Sequence, residues 1–253
     1  MNLNIAHLYP NLLNIYGDRG NIICLKNRCQ WRGIKVKVTS VSINDKLITN
    51  SHDLYFGGGG QDRQQMIVAD DLQKKKKTLK QEADRGVPML TVCGTYQLFG
   101  HYFKAEDGTK IPGISIFDAY TIASHQRKIG NIVVNVNDQW SMVNGQIVGF
   151  ENHSGNTFLS NVTLPLGKVL KGFGNNGKDK TEGAIYKNVF GSYLHGPLLP
   201  KNPHFADLLI KKALEVKYKK KITLKPLDDT LEWQAHKTAA TKSSRFSVFF
   251  SSL

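Results

Sequence analysis

Strand-length apolar segments alternate with helix-length amphipathic ones through the first part of this chain, and that rhythm limits what it can fold into. Leu3–Leu8 is a short apolar run, followed by a loop holding Pro10 and Gly17-Asp18-Arg19-Gly20. A helical pattern then runs from Asn21 to Arg32, with Ile22, Ile23, Leu25 and Cys29 toward one side, and Gly33 stops it. Ile34–Val41 alternates as a strand, and Asp53–Phe56 is a brief apolar run ending in Gly57-Gly58-Gly59-Gly60. Gln61 to Ala83 reads as a long amphipathic helix, Val87–Val92 as a buried strand, Cys93-Gly94 as a turn and Tyr96–Phe103 as a helix. Recurrence at roughly 25 to 35 residues predicts βαβ units, and so a parallel sheet with helices on both faces.

The second half changes character. Lys128–Val136, Gln146–Glu151 and Ala184–Leu194 read as strands, separated by turns such as Gly174-Asn175-Asn176-Gly177. Lys201–Lys217 reads as a closing helix. Periodicity fades from about Lys225, and the serine-rich end from Thr241 is expected to fray. The organisation expected is one α/β domain over 1–224, with a partly disordered C-terminal extension over 225–253.

At 253 residues the chain buries a substantial core. It holds no apolar window of the ~20 residues that a membrane helix needs, and its start is too polar for a signal peptide. Its 3 cysteines suggest neither a disulfide framework nor a metal site, which fits a reducing cytoplasm. The net charge of +14 gathers in Lys74–Lys77 and in Lys217-Tyr218-Lys219-Lys220-Lys221. Lysine runs on helix faces are ordinarily solvated, and no aromatic residues interleave with Lys74–Lys77 to make a single-strand platform. The charge therefore does not argue for a nucleic-acid partner.

In a doubly wound sheet, chemistry collects at the carboxyl ends of the strands. Three features fall there. Cys93 stands just past a buried strand and just before a helix, the elbow position of an exposed nucleophile. The glycine run after Asp53–Phe56 lets backbone N–H groups approach a developing oxyanion, and no GK[ST] follows to make it a phosphate loop. His195 ends an apolar strand before Gly196-Pro197, placed to act as a base for a thiol. Together they spell acyl transfer.

These residues also carry a resemblance. Cys93-Gly94-Thr95-Tyr96-Gln97, Gly149-Phe150-Glu151-Asn152-His153 and Tyr193-Leu194-His195-Gly196-Pro197 resemble the cobyric-acid-synthase-like class I glutamine amidotransferases. Asn14–Ile22, Gly58–Asp62 and the Arg127 segment resemble the branch of that family that acts in peptidoglycan synthesis. The resemblance runs from about Leu3 to Lys217. It implies a class I amidotransferase-like, flavodoxin-like three-layer α/β sandwich with a mostly parallel central sheet. It further implies that Cys93 attacks the side-chain amide of glutamine and that His195 moves the proton. Gly59 and Gly94 would hold the oxyanion, Arg127 would clamp the substrate carboxylate, and Glu151 and His153 would support the site.

The resemblance also implies a heterodimer with a Mur-ligase-like subunit, which would use ATP and Mg on the membrane-bound precursor lipid II. No cofactor is expected in this chain. The location implied is the cytoplasm, near the inner face of the membrane of a Gram-positive bacterium. Many class I amidotransferases carry a glutamate two residues after the histidine, but Pro197 stands here. The resemblance implies that an aspartate of the partner subunit completes the site instead. Thr95 stands in place of the usual glycine, where a β-branched residue could crowd the elbow or the incoming substrate; Gln64 and Asn156 also depart from the family pattern, and all three read as drift within a working enzyme. Two other readings stay open: a cysteine peptidase or deglycase-like hydrolase on the same fold, and a catalytically weak nucleic-acid-binding protein.

Overall fold

The apolar runs of the first half become neighbouring strands of one sheet. A computed structural model describes residues 1–136 and 145–241. The first half is β1 (Asn2–Leu8), α1 (Arg19–Gln30), β2 (Lys35–Val41), β3 (Leu54–Gly57), α2 (Asp62–Asp84), β4 (Met89–Val92) and α3 (Gly94–Phe99). There follow β5 (Tyr102–Lys104), β6 (Lys110–Pro112), β7 (Ala119–Ile122), β8 (Lys128–Val136), β9 (Gln146–His153) and β10 (Asn156–Leu159). The rest is β11 (Gly167–Lys171), β12 (Thr181–Glu182), β13 (Ala184–Tyr186), β14 (Val189–Ser192), α4 (Pro203–Tyr218) and α5 (Thr230–Thr241).

The main sheet has the order β13-β14-β4-β3-β1-β2, and every neighbouring pair is parallel except the β13–β14 hairpin. Its inner strands β3, β4 and β14 are buried at every residue, which is why they read as unbroken apolar runs. Strand order reverses direction between β1 and β3, so α1 and α2 cover opposite faces. The carboxyl ends of β1, β3, β4 and β14 thus share one rim. Two smaller sheets, β10-β7-β5-β6 and β12-β11-β8-β9, flank that rim. The β8–β9 pairing runs from Lys128 opposite His153 to Asn135 opposite Gln146.

Several expectations are corrected. The helix after Cys93 ends at Phe99, not Phe103, because β7 passes too close to allow another turn. A Cβ on Gly100 would lie 2.7 Å from the Ala119 carbonyl oxygen. Ala184–Leu194 is a hairpin rather than one strand, turning at Lys187, whose φ of 52° is left-handed. Strands β6, β7, β10 and β11 are only 3 to 5 residues long and mix polar with apolar side chains, so no period stands out.

The C-terminal extension is also more ordered than its sequence suggests as far as Thr241, while the expected fraying of 242–253 lies outside the described residues. α5 docks with little apolar burial. Trp233 stacks on His204 with ring centroids 5.1 Å apart, and the His236 Nδ1–H donates to the Lys201 carbonyl at 2.8 Å. Ahead of the helix, Asp229 accepts from Arg28 Nη1 at 2.6 Å and Nη2 at 2.9 Å. Arg28, 1% exposed, also bonds Asp207 of α4 at 2.7 and 2.9 Å, so one guanidinium ties α1, α4 and the extension together. Anchors of this kind leave no hydrophobic period to read. Among the described residues, no helix is long and apolar enough to cross a membrane.

Replacing Arg28 with Met leaves Asp229 without its cation, while Asp207 keeps Arg32, whose Nη2 donates to it at 2.6 Å. We expect a loss of about 3 kcal/mol in urea unfolding, with faster hydrogen exchange in 230–241 than in the wild type. Wild-type stability and exchange in this variant would mean that α5 is held by its ring contacts alone.

Candidate active site

Cys93 terminates β4 in a conformation that few L-residues adopt, with φ 50° and ψ −105°. Such a backbone is strained, and the packing on both sides must hold it. The Cys93 N–H donates to the Ser192 carbonyl at 2.8 Å, pinning the elbow to the end of β14. Gly94 then opens α3, so the thiol sits where strand turns to helix.

His195 follows β14 and is held at its backbone by β9. Its N–H donates to the Phe150 carbonyl at 2.8 Å, and its carbonyl accepts from the Phe150 N–H at 3.1 Å. Below it, the Glu182 carboxyl accepts from the Tyr193 N–H at 2.7 Å and the Ser192 hydroxyl at 2.8 Å, and complete burial pushes its pKa up to about 8. The imidazole itself is fully buried, and its Nδ1–H donates to Asp18 Oδ1 at 3.1 Å. That bond fixes the tautomer and directs Nε2, which has no other hydrogen-bond partner, toward Cys93. Burial by itself would lower the His195 pKa, but negative charge on Cys93 and Asp18 outweighs it and raises the value to about 10. His195 is therefore held in its protonated form beside Cys93 at neutral pH.

Asp18 is the residue that sequence reasoning missed. It lies in the loop after β1, at the sheet's reversal point, and is fully buried. The Gly17-Asp18-Arg19-Gly20 segment was visible in the sequence, and its place at a strand end was the available signal. An internal carboxylate on Nδ1 also corrects the expectation that a partner aspartate completes the site, since that position is already filled.

The glycine loop needs a correction too. The Gly59 N–H, expected to face the oxyanion, donates instead to Asp18 Oδ2 at 2.7 Å. Gly59 is required for another reason. A Cβ there would stand 2.7 Å from His195 Cε1 and 3.2 Å from Cys93 Cβ, so only glycine lets the loop pass over the pair. The next N–H, that of Gly60, has no partner among the described residues and lies 3.0 Å from where a Gly94 Cβ would be. Among the described residues, the N–H groups of Gly60 and Gly94 are the two unpaired donors beside Cys93. Thr95 does not crowd this site. Its hydroxyl donates to the Gly58 carbonyl at 2.6 Å, and its methyl fills the space over Gly57, clamping the loop from beneath.

A cavity of about 770 Å³ opens from Cys93 to solvent, and Tyr16, Gln65, Gln97, Arg127 and His153 are in its wall. Arg127 is fixed there by donating from Nε to Asn152 Oδ1 at 2.7 Å and from Nη2 to the Tyr16 hydroxyl at 3.0 Å. His153 stacks flat on Tyr193, centroids 3.6 Å apart, and its Nδ1–H donates to the Gly155 carbonyl at 2.9 Å. Glu151 lies away from the thiol, accepting from the N–H groups of Phe173 at 2.7 Å and Gly174 at 2.9 Å. The structure thus sets Cys93, Arg127 and His153 in the wall of one cavity, with His195 and Gly94 beside Cys93 and Glu151 behind the wall. Among the described residues, no group of three or more His, Cys, Asp or Glu side chains converges as metal ligands would.

Comparison with known proteins gives the chain's family. The chain is 41% identical over 245 residues to the lipid II isoglutaminyl synthase (glutamine-hydrolyzing) subunit GatD of Staphylococcus aureus, covering 96% of this chain and 97% of that one. It is 44% identical to the subunit of the same name from Streptococcus pneumoniae, over 90% of this chain and 87% of that one. A crystal structure of a glutamine amidotransferase from Thermotoga maritima shares the fold, with a TM-score of 0.51 and 13% identity over 94% of this chain and 93% of that chain. Residues 4–203 match the CobB/CobQ-like glutamine amidotransferase domain, and the chain belongs to that family.

Proposed function

We propose that this chain is the glutamine-hydrolysing subunit of a lipid II isoglutaminyl synthase. The observation that carries the reading is a strained cysteine, paired with a charged histidine, that shares one cavity with a fixed arginine. The near full-length similarity to two such subunits supports the choice of pathway.

The steps follow from the geometry. Arg127 takes the α-carboxylate of glutamine, leaving its side-chain amide at the inner end of the cavity. The Cys93 thiolate attacks the amide carbon, and the carbonyl oxygen gains charge between the N–H groups of Gly60 and Gly94. His195 gives its Nε2 proton to the nitrogen, the C–N bond breaks, and ammonia leaves with the γ-glutamyl thioester on Cys93. The neutral imidazole then takes a proton from water as that water attacks the thioester. Glutamate departs, and the thiolate–imidazolium pair is restored. Throughout, Asp18 holds the ring and offsets its positive charge.

The ammonia goes to a Mur-ligase-like partner in a heterodimer. With ATP and Mg, that subunit activates the D-glutamate α-carboxylate of the lipid II stem peptide for amidation. This places the complex at the cytoplasmic face of the membrane. The test is co-purification with such a ligase, followed by an assay for glutamine- and ATP-dependent amidation of lipid II. Cys93→Ala should abolish the glutamine-dependent reaction and keep the ammonia-dependent one. Amidation from glutamine by the Cys93→Ala complex would end the proposal.

Two further outcomes are expected of this chain. Arg127→Ala should raise the KM for glutamine by about 10- to 150-fold, the worth of one charge-assisted pair, with a smaller change in kcat. A loss confined to kcat would give Arg127 another role. Asp18→Asn should lower kcat by roughly 10²-fold or more, as loss of an oriented acid–base does. It also removes influences that raise the His195 pKa, so the ring should lose its proton below the wild-type value of about 10 in an NMR titration. An unchanged titration and rate would show that Asp18 does not orient the histidine.

A further inference from the structure

Gln65 is a buried side chain of the cavity wall that the steps above leave unused. It lies near the start of α2, only 2% exposed, and its Nε2 donates to the Gly60 carbonyl at 3.2 Å. That bond settles which way the carboxamide points, because the reverse orientation would set two oxygens against each other. Oε1 is thereby turned away from Gly60 and has no hydrogen-bond partner. A buried amide oxygen without a donor is unfavourable, and it marks a place where a ligand supplies one.

The side chain is at the reacting end of the cavity. A Cβ on Gly94 would meet Gln65 Cγ and Cδ, each at 3.2 Å, and Gly60 and Gly94 carry the two N–H groups that stand unpaired beside Cys93 among the described residues. Gln97, the other glutamine of the wall with an unpartnered Oε1, faces elsewhere. Its Nε2 donates to the Tyr193 hydroxyl at 3.1 Å and lies 2.5 Å from where a Gly155 Cβ would be.

We propose that Gln65 Oε1 accepts a hydrogen bond from the –NH₂ group of the scissile amide, so that Gln65 selects an amide over a carboxylate at this site. The inference rests on the glutaminase reading given above. With the substrate oxygen between Gly60 and Gly94, the amide nitrogen is left needing an acceptor, and Gln65 Oε1 is an unpaired acceptor of the cavity wall beside Gly94. The nitrogen keeps N–H groups as it becomes tetrahedral and leaves, so the contact persists through bond cleavage. In the glutamate product the same place holds a carboxylate oxygen with no proton to donate. Two acceptors then face each other, which favours release.

The experiment compares kcat/KM for glutamine with that for glutamate γ-methyl ester, which forms the same thioester but has no side-chain N–H. In the wild type both should be hydrolysed. Gln65→Met should lower the glutamine-to-ester ratio by about 5- to 100-fold, because only the amide loses a partner. A ratio unchanged in Gln65→Met would show that Gln65 only supports Gly60, and would overturn the inference while leaving the glutaminase reading intact. A wild-type chain that hydrolyses neither compound would overturn both.

Discussion

One buried carboxylate organises the active site. Asp18 binds the histidine through Oδ1 and the glycine loop through Oδ2, so the base and the loop that passes over it share one anchor. Both side chains of the Asp18–His195 pair are fully buried, where an unpaired charge would be costly. Negative charge on Asp18 and Cys93 compensates the imidazolium, and the Gly59 N–H compensates the carboxylate. Each member is tolerable only because the others are present. The arrangement also occupies the Gly59 N–H, which leaves that of Gly60 as the unpaired donor of the loop among the described residues.

The sheet brings these groups together from distant parts of the chain. Asp18, the glycine loop, Cys93 and His195 each follow a different parallel strand of the same sheet, and all four strands end on one rim. The antiparallel additions serve the same rim. β9 clips the His195 backbone through Phe150, and Glu151 on the same strand secures the Phe173–Gly174 turn. The Gly149–His153 motif thus braces the rim, and its Asn152 and His153 also stand in the cavity wall. Thr95 shows how a departure from the family pattern is accommodated: its bulk lies over Gly57, and its hydroxyl replaces mobility with a hydrogen bond to the loop.

Much of this was legible in the sequence where burial leaves a period or a turn leaves a glycine. The parallel strands read as apolar runs because both their faces are covered, and β8 matched its expected span of Lys128–Val136. Cys93 and His195 stood out because they interrupt such runs at their ends. Asp18 did not, since a carboxylate in a Gly-Asp-Arg-Gly loop looks like any solvated turn until the fold closes over it. Gln65 was silent for a related reason: a polar residue near a helix start carries no hydrophobic signal. α5 was missed because Arg28, Trp233 and His236 hold it, and contacts between polar and aromatic groups set no period. The partner aspartate was inferred from an acid missing after His195, whereas the acid sits 177 residues earlier in the chain.

The most direct test of the account is a crystal structure of the wild-type chain after reaction with diazo-oxo-norleucine, which alkylates the nucleophile of a glutamine site. The account predicts an adduct on Cys93 alone, its ketone oxygen between the N–H groups of Gly60 and Gly94, and its α-carboxylate on Arg127. His195 should still carry Asp18 on Nδ1. An adduct on Cys24 or Cys29, or a ketone oxygen bound by Gly59 with Asp18 displaced, would contradict it.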